Sequence, residues 1–211
     1  MLKLISATPS PYARKVRIAL TEKNIPFELI TEVPWNSDTS VPQYNPLEKL
    51  PVLLLEDGGA VYESAFILEW LEKKYPEPAL MPAETGAYLE ARRYMVLADG
   101  ICDAFLIYFF ETLRAKEHQS APWMARQLRK IEGGVAALAR DIGDRDYAVG
   151  GRLTLADISI VAPLGWFEVR FPAFDWRRKY PNLARYYDRL SERPSFKATV
   201  PSPQTLRDAV V

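Results

Sequence analysis

The sequence predicts an α/β layer over residues 1–77 followed by an all-helical domain over residues 84–211. Three observations predict it. The first 75 residues read strand, helix, strand, long crossover, strand, strand, helix, the order of a small mixed layer and not of a bundle. Pro76-Glu77-Pro78-Ala79-Leu80-Met81-Pro82 cannot continue a helix and marks a boundary. Beyond it the apolar residues recur at helical spacing, with no convincing strand among them.

Taken in order, Leu2 to Ile5 reads as a strand, and Pro11 at a first helical position opens a helix carrying Val16, Ala19, Leu20 and Lys23 at helical spacing. Phe27 to Ile30 is a second strand. The stretch from Val33 to Pro46, rich in Pro, Asn, Ser and Asp, is a loop. Val52 to Leu55 and Ala60 to Tyr62 form a hairpin around Asp57-Gly58-Gly59, after which Ser64 caps a helix to about Tyr75. The helical domain follows in stretches of roughly 86–115, 120–141, 154–169 and 182–192.

Composition excludes several function classes. A hydrophobic content of 48% with 12% aromatic residues is ample for a buried core. Twenty-seven basic residues cancel 27 acidic ones, so no overall field holds nucleic acid or an acidic membrane. The first 80 residues carry 8 basic and 11 acidic groups, leaving 19 and 16, an asymmetry too mild to suggest a polyanion partner. A lone Cys102 excludes an internal disulfide framework and fits a reducing compartment, and a lone His118 argues against a multi-histidine metal site. The longest apolar run, Ala104 to Phe110, is too short to span a bilayer, and no signal peptide is visible, so cytoplasm is expected.

Two segments point to a binding site. Ser10 stands where the first strand gives way to a helix, so an anion beside its hydroxyl would face unpaired backbone N–H groups and the positive end of the helix dipole. Asn45-Pro46-Leu47-Glu48-Lys49-Leu50-Pro51-Val52, leading to Glu63-Ser64, offers charges and hydrogen bonds to an extended ligand. Each feature also has a structural reading: Ser before Pro caps helices, and Glu63-Ser64 suits a helix start. Thr154 and Asp157 read as a capping box that serves folding. Asp99 and Asp103 share a helical face and read as solvated or cleft-lining, Cys102 as packing and His118 as an exposed helix end.

Ser10-Pro11-Tyr12-Ala13-Arg14-Lys15-Val16-Arg17-Ile18-Ala19-Leu20, Lys49-Leu50-Pro51-Val52-Leu53, Glu63-Ser64 and Leu153-Thr154-Leu155-Ala156-Asp157 together resemble the soluble glutathione transferase family, most of all its serine-using members. The likeness runs from residue 1 to about residue 200, with the blocks in the family's order.

The resemblance implies a thioredoxin-like first domain that binds glutathione and a helical second domain that supplies a pocket for a small electrophile. It implies that Ser10 donates a hydrogen bond to the glutathione sulfur and favours the thiolate. A cis Leu50-Pro51 peptide would turn the Leu50 backbone toward the cysteinyl part of the tripeptide. Ser64 would hold the γ-glutamyl carboxylate, Glu63 its ammonium, and Lys49 the glycyl carboxylate. Tyr12, Phe105, Tyr108 and Trp166, with Phe109 and Phe171 nearby, would line the second-substrate pocket. A homodimer without metal or nucleotide is implied.

The chain departs from the pattern of relatives in two places. Ser37-Asp38-Thr39-Ser40 lacks the basic residue that some serine-type relatives carry before Asn45, which predicts weaker affinity for glutathione. Ser10 stands where redox-active relatives carry cysteine, and Ser10-Pro11-Tyr12 replaces the Ser-Ser-Cys run of the isomerase type. Peroxidase, thiol-transferase or isomerase chemistry is the alternative on this scaffold, and a non-catalytic module of the stringent starvation protein A type is another.

Overall fold

The computed structural model describes residues 1–208 and divides into two units, one formed by Met1–Met81 with the segment from Ser191 onward, the other by Pro82–Leu190.

In the first unit, β1 (Leu2–Ser6), β2 (Phe27–Thr31), β3 (Val52–Leu54) and β4 (Ala60–Tyr62) form one sheet in the order β2-β1-β3-β4. β1 runs parallel to β2 and antiparallel to β3, with Ile5 opposite Ile30 and Val52, and Val52 in turn opposite Tyr62. The parallel pair requires a crossover, supplied by α1 (Pro11–Glu22). That helix starts where Ser10 and Pro11 dictate. It stops at Asn24, whose left-handed φ of 54° lets Ile25 N–H reach the Leu20 carbonyl and Asn24 N–H reach that of Thr21. Val16, Ala19 and Leu20 are fully buried, as are Ile67, Leu68 and Leu71 of α2 (Ser64–Lys74). Buried Lys23 closes this unit: its ammonium lies 2.7 Å from Glu72 and donates to the carbonyls of Tyr75 and Pro78.

The second unit is helical: α3 (Thr85–Leu113), α4 (Ala121–Ile142), α5 (Leu155–Arg170), α6 (Trp176–Lys179) and α7 (Pro181–Ser191). Glu84 caps α3 by accepting from the N–H groups of Gly86 and Ala87. α5 is buried on every face from Leu155 to Phe167, which identifies it as the unit's central helix. The capping box expected at its start is present, with Thr154 N–H donating to Asp157 at 2.7 Å. Asp157 also accepts from Tyr186 Oη and Ala148 N–H, so its buried carboxylate ties the loop before α5 and α7 to one point. α3 and α4 approach closely at Gly134, where a Cβ would meet Ile101 at 2.5 Å.

Two sequence expectations are corrected. Ser64 is the first residue of α2 and not its cap; Glu63 occupies the cap position with φ 68° and makes no side-chain capping bond. The helical unit does not continue past Leu190 among the described residues: from Ser191 to Asp208 the chain groups with the first unit. α8 (Pro194–Lys197) packs on α1 in the first unit, because Arg193 and Ser195 both donate to Glu22 and Arg17 donates to the Ala198 carbonyl. The tail then runs past Thr8, Glu32 and Asn36 to Asp208.

Candidate active site

The register of the sheet collects the expected site residues. Ile5 opposite Val52, and Val52 opposite Tyr62, put the exit of β1, the entry of β3 and the exit of β4 at the same end. The segments that leave that end carry Ser10, Leu50-Pro51 and Glu63-Ser64.

Ser10 is half-buried, with extended backbone (φ −67°, ψ 118°) ahead of the helix. Its Oγ accepts from Ala13 N–H at 3.2 Å. A hydroxyl that accepts at one lone pair keeps its hydrogen for donation elsewhere. The Leu50-Pro51 peptide is cis, as the resemblance implies, and β3 begins only at Val52, so the Leu50 backbone precedes the ladder. Glu77-Pro78 is also cis, which nothing in the sequence singled out.

Lys49 and Glu63 are exposed and face each other, Nζ to Oε1 at 3.8 Å. Ser64 is buried at the first turn of α2. Glu63 is one of three non-glycine residues at positive φ among the described residues, with Asn24 and Glu48. A left-handed glutamate is uncommon and such strain concentrates at functional sites.

Asn45 opens the segment that the sequence singles out, but its own role was not read there. Fully buried, it donates from Nδ2 to the Lys49 carbonyl at 2.7 Å and accepts at Oδ1 from Leu47 N–H, so it shapes the turn that presents Lys49 and Leu50. An asparagine before proline is the local signal for such a side-chain turn. Upstream, the Glu32 carboxylate gathers the loop by accepting from Thr39 Oγ1, Ser40 N–H and Ser40 Oγ. Burial pushes that carboxyl up, but the three hydrogen bonds outweigh it and hold it below its ordinary value.

The residues expected to wall a second pocket divide between the two units. Tyr12, on α1, is half-buried with the Lys15 ammonium 5.8 Å from its ring centre. In the helical unit, Phe105 is the hub of an aromatic cluster, with Trp166 at 4.6 Å, Phe167 at 5.2 Å and Phe171 at 5.3 Å. Phe105 and Trp166 are buried, so they serve as core there, whereas Tyr108 is half-buried at 5.2 Å from Phe171. Cys102 is buried and His118 exposed. Among the described residues, no group of three or more His, Cys, Asp or Glu side chains is placed to hold a metal ion, and no helix is long and apolar enough to cross a membrane.

Comparison with known proteins decides the family. Residues 9–74 match the glutathione S-transferase N-terminal domain and residues 121–189 the glutathione S-transferase C-terminal domain. The chain belongs to the glutathione S-transferase family. It is similar, at 62% identity and a TM-score of 0.98 over 100% of this chain and 99% of the other, to a glutathione S-transferase of Methylobacterium radiotolerans solved in complex with glutathione sulfonate. It is 37% identical to the GST-like protein YibF of Escherichia coli K12, over 95% of this chain and 98% of that one. A maleylacetoacetate isomerase of Pseudomonas aeruginosa is 28% identical over 96% and 97% of the two chains. The glutathione S-transferase architecture, a thioredoxin-like layer and a helical unit, is thus common to the family matches and this protein.

Proposed function

We propose that this glutathione S-transferase family member is a serine-type transferase, in which Ser10 activates the glutathione thiol as thiolate for conjugation to small apolar electrophiles. The observation that carries the reading is the Ser10 hydroxyl, half-buried at the N-terminus of α1, anchored by Ala13 N–H and able to donate to sulfur. Hydrogen-bond donation and the helix terminus both favour the charged form of a thiol whose unperturbed pKa is about 8.5. Each unit of lowering is worth about 1.4 kcal/mol toward the nucleophile.

The glutathione sulfonate bound by the Methylobacterium relative supports glutathione as the co-substrate. In this reading the Leu50 backbone beside cis-Pro51 pairs with the cysteinyl unit, Glu63 and Ser64 take the γ-glutamyl end, and Lys49 takes the glycyl carboxylate. The thiolate lone pair forms the carbon–sulfur bond while the electrophile's leaving group departs with its electron pair, or its activated double bond accepts the electrons and takes a proton from solvent. Within the first unit, half-buried Tyr12 is the candidate for contact with the electrophile.

Leu89 and Val96, exposed at 61% and 65% and seven residues apart on one face of α3, support a homodimer. Val96→Glu then gives a monomer in sedimentation; a wild type that is already monomeric overturns the point.

A second reading, cis-trans isomerisation of a conjugated keto acid, is favoured by the isomerase relative and opposed by Ser10-Pro11-Tyr12 in place of Ser-Ser-Cys. The deciding experiment is the ultraviolet thiolate absorbance of bound glutathione titrated against pH. Wild type lowers the thiol pKa and Ser10→Ala loses that shift while still binding. Binding without any shift in wild type removes the proposed mechanism and leaves a non-catalytic binder or other chemistry.

A further inference from the structure

The loop that leads to Lys49 has no basic residue of its own, yet one reaches it from the far end of the chain. Arg207 grips both oxygens of Asp38 at 2.6 Å, and its backbone N–H donates to the buried Asn36 side chain at 3.0 Å. Asp208 accepts from Ser37 N–H at 2.5 Å, and Gln204 donates to the Glu32 carbonyl. Earlier in the tail, the Ser202 carbonyl accepts from Thr8 Oγ1, two residues before Ser10. Every residue in this set lies in the first unit.

From the gripped segment a continuous set of contacts leads to the site. Val41, fully buried, packs with Ile5 and Val52 beneath the loop. Asn45 N–H donates to the Val41 carbonyl at 2.9 Å, and the Asn45 side chain holds the Lys49 carbonyl. Glu32 fixes Thr39 and Ser40 between these two anchors.

We propose that Arg207 and the tail around it are a positioning strap, which orders residues 33–46 and thereby sets Lys49 and Leu50 for the glycyl and cysteinyl parts of the tripeptide. The proposal rests on the glutathione reading above and adds to it a residue in the outermost segment of the chain. The Arg207 clasp acts on binding and not on the chemical step, because its contacts and those of Asp208 fall on Asn36, Ser37 and Asp38 and not on the segment that carries Ser10. Its Arg207–Asp38 clasp is solvent-exposed, so salt screens it.

The test uses the full-length protein, Arg207→Ala, Arg207→Lys, a chain ending after Pro203, and the swapped pair Asp38→Arg with Arg207→Glu. Hydrogen exchange by mass spectrometry is read without ligand, and KM for glutathione and kcat are read separately. Expected are faster exchange in 33–46 for Arg207→Ala and the shortened chain, and a KM rise of about two- to five-fold at unchanged kcat. The swapped pair restores both, and Arg207→Lys, which keeps the charge and a single donor nitrogen for Asp38, restores them largely. Unchanged exchange in 33–46 overturns the strap. Faster exchange with unchanged KM overturns its role in binding. A wild type that fails to bind glutathione overturns the functional reading and the glutathione part of this one, while the exchange data still decide whether the tail orders the loop.

Discussion

The Lys49 ammonium stands 3.8 Å from the Glu63 carboxylate, both side chains exposed on the first unit. The two side chains are assigned to opposite ends of an extended tripeptide, and extended chain spans about 3.3 to 3.6 Å per residue. In the proposed reading they part when the ligand enters, and each exchanges its partner for a ligand charge.

This exchange gives a separable pair of effects. Lys49→Met raises KM for glutathione by roughly ten-fold, the scale of one charge-assisted hydrogen bond. It leaves the affinity for γ-glutamylcysteine, which lacks the glycyl carboxylate, almost unchanged, whereas Glu63→Gln weakens both. Calorimetric titration of both ligands checks the assignment, and equal losses for the two ligands in Lys49→Met refute it.

Lys23 is the anchor of the segment after α2. Its side chain is fully buried and satisfied by Glu72, Tyr75 and Pro78, while Glu72 also accepts from the N–H groups of Leu80 and Met81. Lys23→Ala strands the Glu72 charge and costs about 3 to 5 kcal/mol in urea unfolding.

Adjacent glycines in α4 have opposite roles. Gly133 has open space where a Cβ would go, so Gly133→Ala adds helix propensity and stabilises by up to about 1 kcal/mol. At Gly134 the same change meets Ile101 Cγ1 at 2.5 Å and destabilises by about 1 to 3 kcal/mol. Ile101→Val beside Gly134→Ala recovers part of the loss, readable as a rise in melting temperature.

Acid loosens the return of the chain onto α1. Burial raises the Glu22 carboxyl, but hydrogen bonds from Arg193 and Ser195 and the Arg193 charge outweigh it, leaving the pKa below the ordinary 4.5. A depressed carboxylate contributes stability that is present above the unfolded pKa and lost as pH falls through the folded one. Exchange in 191–199 therefore accelerates below about pH 4.5, and Glu22→Gln shows the same acceleration at neutral pH. Asp157 runs the other way: burial raises its pKa above 3.8, so its contribution is present at low pH and declines as pH rises through the folded value.

A buried charge without a partner marks a further site of adjustable stability. Among the described residues, all three guanidinium nitrogens of Arg14 are buried and unpaired, and the Arg14 charge adds to burial in lowering the pKa of Arg17. Arg14→Met raises the melting temperature, since an apolar chain of similar length removes an uncompensated buried charge. A lower melting temperature contradicts this account.

Much of the fold was legible because its signals are local. Ser10-Pro11 and Thr154-x-x-Asp157 announce helix starts through chemistry within one turn, and the four long helices lie within a few residues of their expected bounds. Short α6 and α8 escaped because four residues carry too little periodicity to read. At the site, the sequence offered candidate residues, but the geometry behind them was not legible. The left-handed Glu63 has no compositional mark. The Arg207–Asp38 clasp joins positions 169 apart, and no local pattern encodes such a partner.

The return of the last residues to the first unit has a consequence for biosynthesis. Residues 1–81 leave the ribosome while α3 to α7 and the tail are still to be made, so Glu22 and Asp38 wait for Arg193 and Arg207 until the whole helical unit has been made. The helical unit, continuous in sequence, completes its own set of contacts earlier than the layer that began first. The thioredoxin-like layer thus starts before the helical unit and closes after it, and the contacts it gains late include those that hold the loop beside its own candidate site.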